Sequence, residues 1–166
     1  MSQTLYGARL WSEPKNEADM HYDAYGKNSE VFATGDIVGL SSGQLLVATS
    51  AIVGVVQKTA TMSSTNVTVA KVSPGYIPIE NDQLWLMGCN ADLTGDGTNA
   101  GTYYTITGAT GAQQLNVSQG VSATTLRTVE IVKVDPYKEG GTGAGSGLRK
   151  CLVHILKTPY TNITAT

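Results

Sequence analysis

From Val31 onward the chain is a succession of short runs rich in Val, Ile, Leu, Thr and Tyr, each stopped by Gly, Pro, Asn or Ser. Strands separated by turn residues at intervals of about ten residues are the pattern of an all-β sandwich or barrel. The runs predict strands near Asp36 to Leu40, Gln44 to Thr49, Ile52 to Lys58, Val67 to Val72, Tyr76 to Ile79, Gln83 to Met87, Thr102 to Thr107, Gln113 to Val117, Leu126 to Val134 and Arg149 to Leu156. Turn chemistry agrees. Ser41-Ser42-Gly43 between DIVGL and QLLVAT, and Thr107-Gly108-Ala109-Thr110-Gly111 between TYYTIT and QQLNV, both have hairpin composition, with Gly43 suited to a left-handed position.

Two strands carry more specific expectations. In the run from Arg149 to Lys157 the residues Cys151, Val153 and Ile155 alternate with Leu152, His154 and Leu156, so both faces are mostly apolar and the strand is expected to be central. In Leu126 to Val134 the alternation breaks at Ile131-Val132, which predicts a bulge or burial on both sides.

The first thirty residues differ. They hold Trp11, Tyr22 and Tyr25 with neither strand alternation nor a helical stripe, although Ser12 to Met20 has the composition of one capped turn. The expected organisation is therefore an extended N-terminal arm, residues 1–30, and a β-rich domain, residues 31–166, that is a small sandwich or barrel. Such an arm lies across a partner's surface or wraps its own domain, and the pattern leaves both open.

A formal net charge of −2 and the lack of a Lys/Arg stripe argue against direct nucleic-acid binding, which needs cations to displace counterions from phosphates. LLVATSAIVGVV, the most apolar stretch, is far shorter than the roughly 20 residues of a membrane span. The start, MSQTLYGARLW, has no secretory signal pattern, so the chain is expected to stay where it is made. Cys89 and Cys151 are too few and too far apart in sequence for a disulfide scaffold or a zinc knuckle; they read as buried free thiols, with a bridge between them as the lesser alternative. The three Asn-x-Ser/Thr triplets, at Asn66, Asn116 and Asn162, read as products of a threonine-rich composition.

The candidate chemistry is thin. DLTGDG places Asp92, Thr94, Asp96 and Gly97 at calcium-loop positions one, three, five and six, but the twelfth position, which needs a bidentate carboxylate, is Tyr103. Asp92 and Asp96 are thus weak metal candidates, and the loop reads first as a turn; no cofactor is expected. EGGTGAGSGLRK fails as a phosphate loop, since Gly147 is followed by Leu148 and Arg149, and it fails the dinucleotide fingerprint because the third glycine falls on Ser146 or Leu148. His21 and His154 have no nucleophile and acid beside them in sequence, and His154 reads as an imidazole bonded to backbone. Glu80 and Asp82 fall in a turn. Trp11 and Trp85 have the makings of a sugar platform, although Trp85 inside QLWLM reads as core. No enzyme is expected.

Three stretches carry a resemblance: GDIVGLSSGQLLVATSAIVGVVQK from Gly35, NADLTGDGTNAGTYYTITGATGAQQLNV from Asn90, and VEIVKVDPYKEGGTGAGSGLRKCLVHI from Val129. Together they resemble the small β-rich virion proteins of tailed bacteriophages that decorate or cement an assembled icosahedral capsid. The resemblance implies a structural protein without an active site, made in the host cytoplasm and residing on the virion surface. Its implied partners are the major capsid protein and other copies of itself. Leu10, Trp11 and Tyr22 are then the expected capsid contacts, and the loops holding Asp92, Asp96, Gly143 and Gly145 are expected to be exposed or to bridge subunits. The rival expectation is a carbohydrate- or calcium-binding β-sandwich module of a phage fibre or cell-surface protein.

Overall fold

In the computed structural model, residues 6–12, 20–80, 83–91, 101–117, 126–134 and 150–161 are described. They form twelve strands in chain order: β1 Ala8–Ser12, β2 Val31–Phe32, β3 Ile37–Ser41, β4 Gln44–Val47, β5 Ile52–Val56, β6 Ala60–Thr61, β7 Tyr76–Pro78, β8 Leu84–Gly88, β9 Tyr103–Thr107, β10 Gln114–Asn116, β11 Leu126–Val134 and β12 Lys150–Thr161. A six-stranded sheet runs β1-β8-β12-β11-β9-β10, a four-stranded sheet runs β4-β3-β5-β7, and β2 and β6 make a two-stranded ribbon. All strand pairs in these sheets are antiparallel. The fold is all-β, with the layered sheets of a sandwich.

The alternation of the strands explains the layering. In β3, Ile37 enters one apolar cluster and Val38 the other; in β5, Val55 and Val56 divide the same way, as do Ile77 and Tyr76 in β7. The four-stranded sheet is therefore buried on both faces. Its first face meets Trp85, Met87, Val129, Ile131, Cys151, Val153 and Ile155 of the six-stranded sheet. The second face is covered by Phe32 of β2, by Met62, and by Ala24 and Ala60. Each fully buried Val, Leu or Ile contributes about 1.5–3 kcal/mol relative to exposure, so neither cover is dispensable.

Two buried polar side chains fasten the sheets to each other. Gln113, just before β10, accepts from the Ile37 amide at 2.6 Å and donates to the carbonyls of Ala48 at 2.7 Å and Ile37 at 3.3 Å. Asp36 accepts from the amides of Ala33 at 2.7 Å and Gly111 at 2.8 Å, which ties the β9–β10 connection to the start of β3. Burial of Asp36 raises its carboxyl above the ordinary value, outweighing these two amide bonds, and the charge of Glu30 pushes in the same direction.

Most predicted strands are present, with bounds shifted by a few residues. β12 lies between β8 and β11, as its two-faced pattern required, and Cys151, Val153 and Ile155 are fully buried while Leu152, His154 and Leu156 are half-buried. The break in β11 is a register shift between Ile131 and Lys133. The β3–β4 hairpin turns on Ser42 and Gly43, both at positive φ (50° and 76°), the two-residue turn whose twist matches the flanking strands.

Val67 to Val72 is a correction. That segment holds a π-helical turn, Asn66–Ala70, and not a strand. The Asn66 side chain takes both backbone groups of Val72, which a neighbouring strand would otherwise pair, and Lys71 ends the turn in the left-handed region. Strands β1, β2 and β6 are too short, or too irregular in pattern, for the periodicity to have announced them.

A chain ending at Lys150 loses the shared neighbour of β8 and β11 together with three fully buried side chains, and it is expected to give no cooperative thermal transition; a soluble, sharply melting fragment would contradict the central placement. For Asp36, a raised folded-state value means stability is present below the unfolded value of 3.8 and is lost as pH rises through the folded one. The stability of the protein relative to Asp36→Asn, measured by urea unfolding, is expected to increase as pH falls from 7 towards 4, and a constant difference would contradict this.

Candidate docking surface

The segment after residue 20 runs along the four-stranded sheet and is pinned at intervals. His21 and Tyr76 exchange both backbone bonds (2.8 and 3.1 Å), the Tyr25 carbonyl accepts from the Leu45 amide at 2.9 Å, and the amides of Gly26 and Lys27 donate to the carbonyls of Val72 and Leu45. Asn66 completes the attachment. Buried, it donates through Nδ2 to the carbonyls of Gly26 (2.7 Å) and Val72 (2.9 Å) and accepts from the Val72 amide at 3.0 Å, so one side chain holds two segments forty residues apart in sequence.

On this fixed backbone the large side chains point outward. Met20 and Tyr22 lie over Gly75, whose missing side chain leaves room that a Cβ would fill within 2.7 Å of either, and whose φ of 73° suits glycine. The Tyr22 hydroxyl points to the Met20 sulfur at 3.8 Å. Beneath them the Tyr76 hydroxyl donates to Asp23 at 2.7 Å, and the His21 ring is tilted against Tyr76 with centroids 5.9 Å apart. Desolvation, and then the bond to Asp23, push the Tyr76 phenol up to about 12; the same bond lowers the Asp23 carboxyl. Nearby in the chain, Val69 projects from the π-helical turn with most of its surface exposed.

The other part of the N-terminal segment lies on the six-stranded sheet. β1 pairs with β8, and the amides of Gly7 and Ala8 donate to the carbonyls of Gln113 and Gly35. Register slips between Leu10 and Ser12. Leu10 packs against the first core and Trp11 turns to solvent, so the two neighbours expected to contact a capsid part company. Tyr6, Trp11, Tyr22 and Tyr25 are 46%, 60%, 60% and 40% exposed, whereas Tyr76 and Trp85 are buried and Tyr103 and Tyr104 are half-buried.

The remaining candidates fall elsewhere. His154 is half-buried with Nδ1 at 3.0 Å from the Gln83 carbonyl, opposite Glu130, which in turn lies opposite Tyr103. The Glu80 amide donates to the Gln83 side chain at 2.8 Å, and the Gln83 amide donates to the Glu80 carbonyl at 3.2 Å. Trp85 is core, and its indole N–H finds no partner among the described residues. Cys89 and Cys151 are both buried, with their sulfurs 3.3 Å apart. Asn66 is committed to its three bonds, so its sequon is closed to modification as folded. Asp92, Asp96, Asp82, Gly143 and Gly145 lie outside the described residues. Among those described, no group of three His, Cys, Asp or Glu side chains is arranged as metal ligands would be, and no helix is long and apolar enough to cross a membrane. The chain matches no protein-family model, no curated protein and no solved structure.

Sequence reasoning missed Met20 and Tyr25 as surface groups and Asn66 as the clamp. Only the crowding of aromatics in a segment without periodicity signalled the first two. Asn66→Ala leaves the Gly26 carbonyl and the Val72 amide without the bonds Asn66 gives them and is expected to cost roughly 2–4 kcal/mol in urea unfolding; a loss under about 1 kcal/mol would mean that the clamp is not what holds the segment.

Proposed function

We propose that this protein decorates the outside of a tailed-phage icosahedral shell, binding the major capsid protein and stabilising the contacts between its subunits. One observation supports this reading above the others: the exposed Tyr6, Trp11, Tyr22 and Tyr25 come from two stretches, residues 6–12 and 20–25, whose backbone hydrogen bonds hold against a stiff β-body. Aromatic anchors on a pre-ordered backbone lose little conformational entropy on docking, which is why such residues dominate protein interfaces. Burying Trp11 or Tyr22 removes a large apolar surface from water while the indole N–H or phenol can still find a partner.

A shell under outward load fails where subunits meet. A body that spans such a seam adds interface that must break before the subunits separate, and several modest contacts act together because each raises the effective concentration of the next. Copies of the chain on neighbouring seams would share that load. The reading requires no bond to be made or broken.

Removing the first 25 residues is a poor test, because it also removes β1 and the residues paired with Tyr76 and Leu45. Point substitutions at exposed positions are cleaner. With purified shells lacking the protein, Trp11→Ala and Tyr22→Ala are each expected to weaken binding by roughly 30-fold with the melting temperature unchanged. Wild-type occupancy by both variants, or binding to surface polysaccharide in place of shells, would overturn the reading.

A further inference from the structure

Cys89 and Cys151 come from opposite ends of the 62-residue interval between them, yet their sulfurs meet at 3.3 Å inside the first core. The register explains the meeting. Cys151 sits opposite Met87, and Cys89, two residues further along, faces the same side, so the thiols are diagonal neighbours across the β8–β12 seam. At Cys89 the chain has left β12 and bridges instead to Leu115 of β10. The two sulfurs thus stand where the six-stranded sheet changes partners.

We propose that Cys89 and Cys151 are an oxidative cross-linking site that closes to an intrachain disulfide. A disulfide bond is ~2.05 Å long, so the sulfurs need approach by only about 1.3 Å from their 3.3 Å separation, without any exchange of strand partners. The oxidant is a peroxide. One thiolate attacks the peroxide oxygen and becomes a sulfenic acid, releasing water after proton uptake; the second thiol then displaces hydroxide from that sulfur, which leaves as water with the thiol's proton. In sum two thiols and one hydrogen peroxide give one disulfide and two waters. Because both side chains are fully buried, the first step waits on local opening of the β8 end and is slow, whereas the second follows at once because the partner is already in place. The closed loop contains β9, β10 and β11, so the cross-link restrains the unfolded chain over the half of the sheet farthest from β1. This inference is independent of the docking reading.

The full-length protein, purified under reductant and then freed of it, is treated with hydrogen peroxide, and free thiols are counted after denaturation. Both thiols are expected to disappear, with an intact mass lower by two hydrogens, a linked peptide pair containing Cys89 and Cys151, and a melting temperature that rises and returns on reduction. Cys89→Ala and Cys151→Ala are each expected to abolish the reducible rise. Thiols that persist under prolonged peroxide, a mass gain of oxygen atoms without cross-linking, or disulfides only between chains would overturn the proposal; the wild-type mass alone decides if either variant fails to fold.

Discussion

The structure depends on the burial of one sheet from both sides. Strands β3, β5 and β7 send alternate apolar side chains to opposite faces, Ile37 against Val38 and Ile77 against Tyr76, so a two-layer sandwich would leave half of them in water. The six-stranded sheet covers one face with side chains from β8, β11 and β12. Among the described residues the other face has no comparable sheet. Its cover is assembled from the β2–β6 ribbon, Met62, Ala24 and the backbone of residues 20–27, and it stays in place because hydrogen bonds substitute for the strand pairing that is missing.

That makeshift cover has a consequence for function. Main-chain bonds to Tyr76, Leu45 and Val72 and the Asn66 clamp use up the inward-facing polar groups of the segment, which leaves its large side chains to face outward. On the opposite sheet the slip between Leu10 and Ser12 does the same for Trp11. Apolar groups are thus displayed by a scaffold already ordered before any partner arrives. The entropy of ordering their backbone is lost in folding, which is the condition the proposed docking requires.

Much of the fold was legible in the sequence because β-structure with a buried face writes its period into the chain. The central place of β12, the irregularity at Ile131 and the Ser42-Gly43 turn all followed from residue types at adjacent positions. What stayed hidden was decided by contacts distant in sequence. Val67 to Val72 alternates like a strand, but Asn66 captures Val72 and coils the segment, and no local rule announces a side chain that serves as a neighbouring strand. Residues 8–12 carry little pattern because β1 is an irregular edge strand whose register slips at Trp11. For the thiol pair the sequence carried the burial, with a bridge only as the lesser alternative, because spacing along the chain says nothing about a diagonal across two strands.

The proposal that joins these observations is that the exposed aromatic side chains of residues 6–12 and 20–25, Trp11 and Tyr22 first among them, are contacts to a capsid. Cryo-electron microscopy of tailed-phage particles carrying this chain tests it most directly. The account predicts discrete β-rich density on the outer shell surface over subunit seams, with Trp11 and Tyr22 turned towards the shell. Density confined to the tail or fibres, or a shell-bound body with these side chains facing solvent, would contradict it.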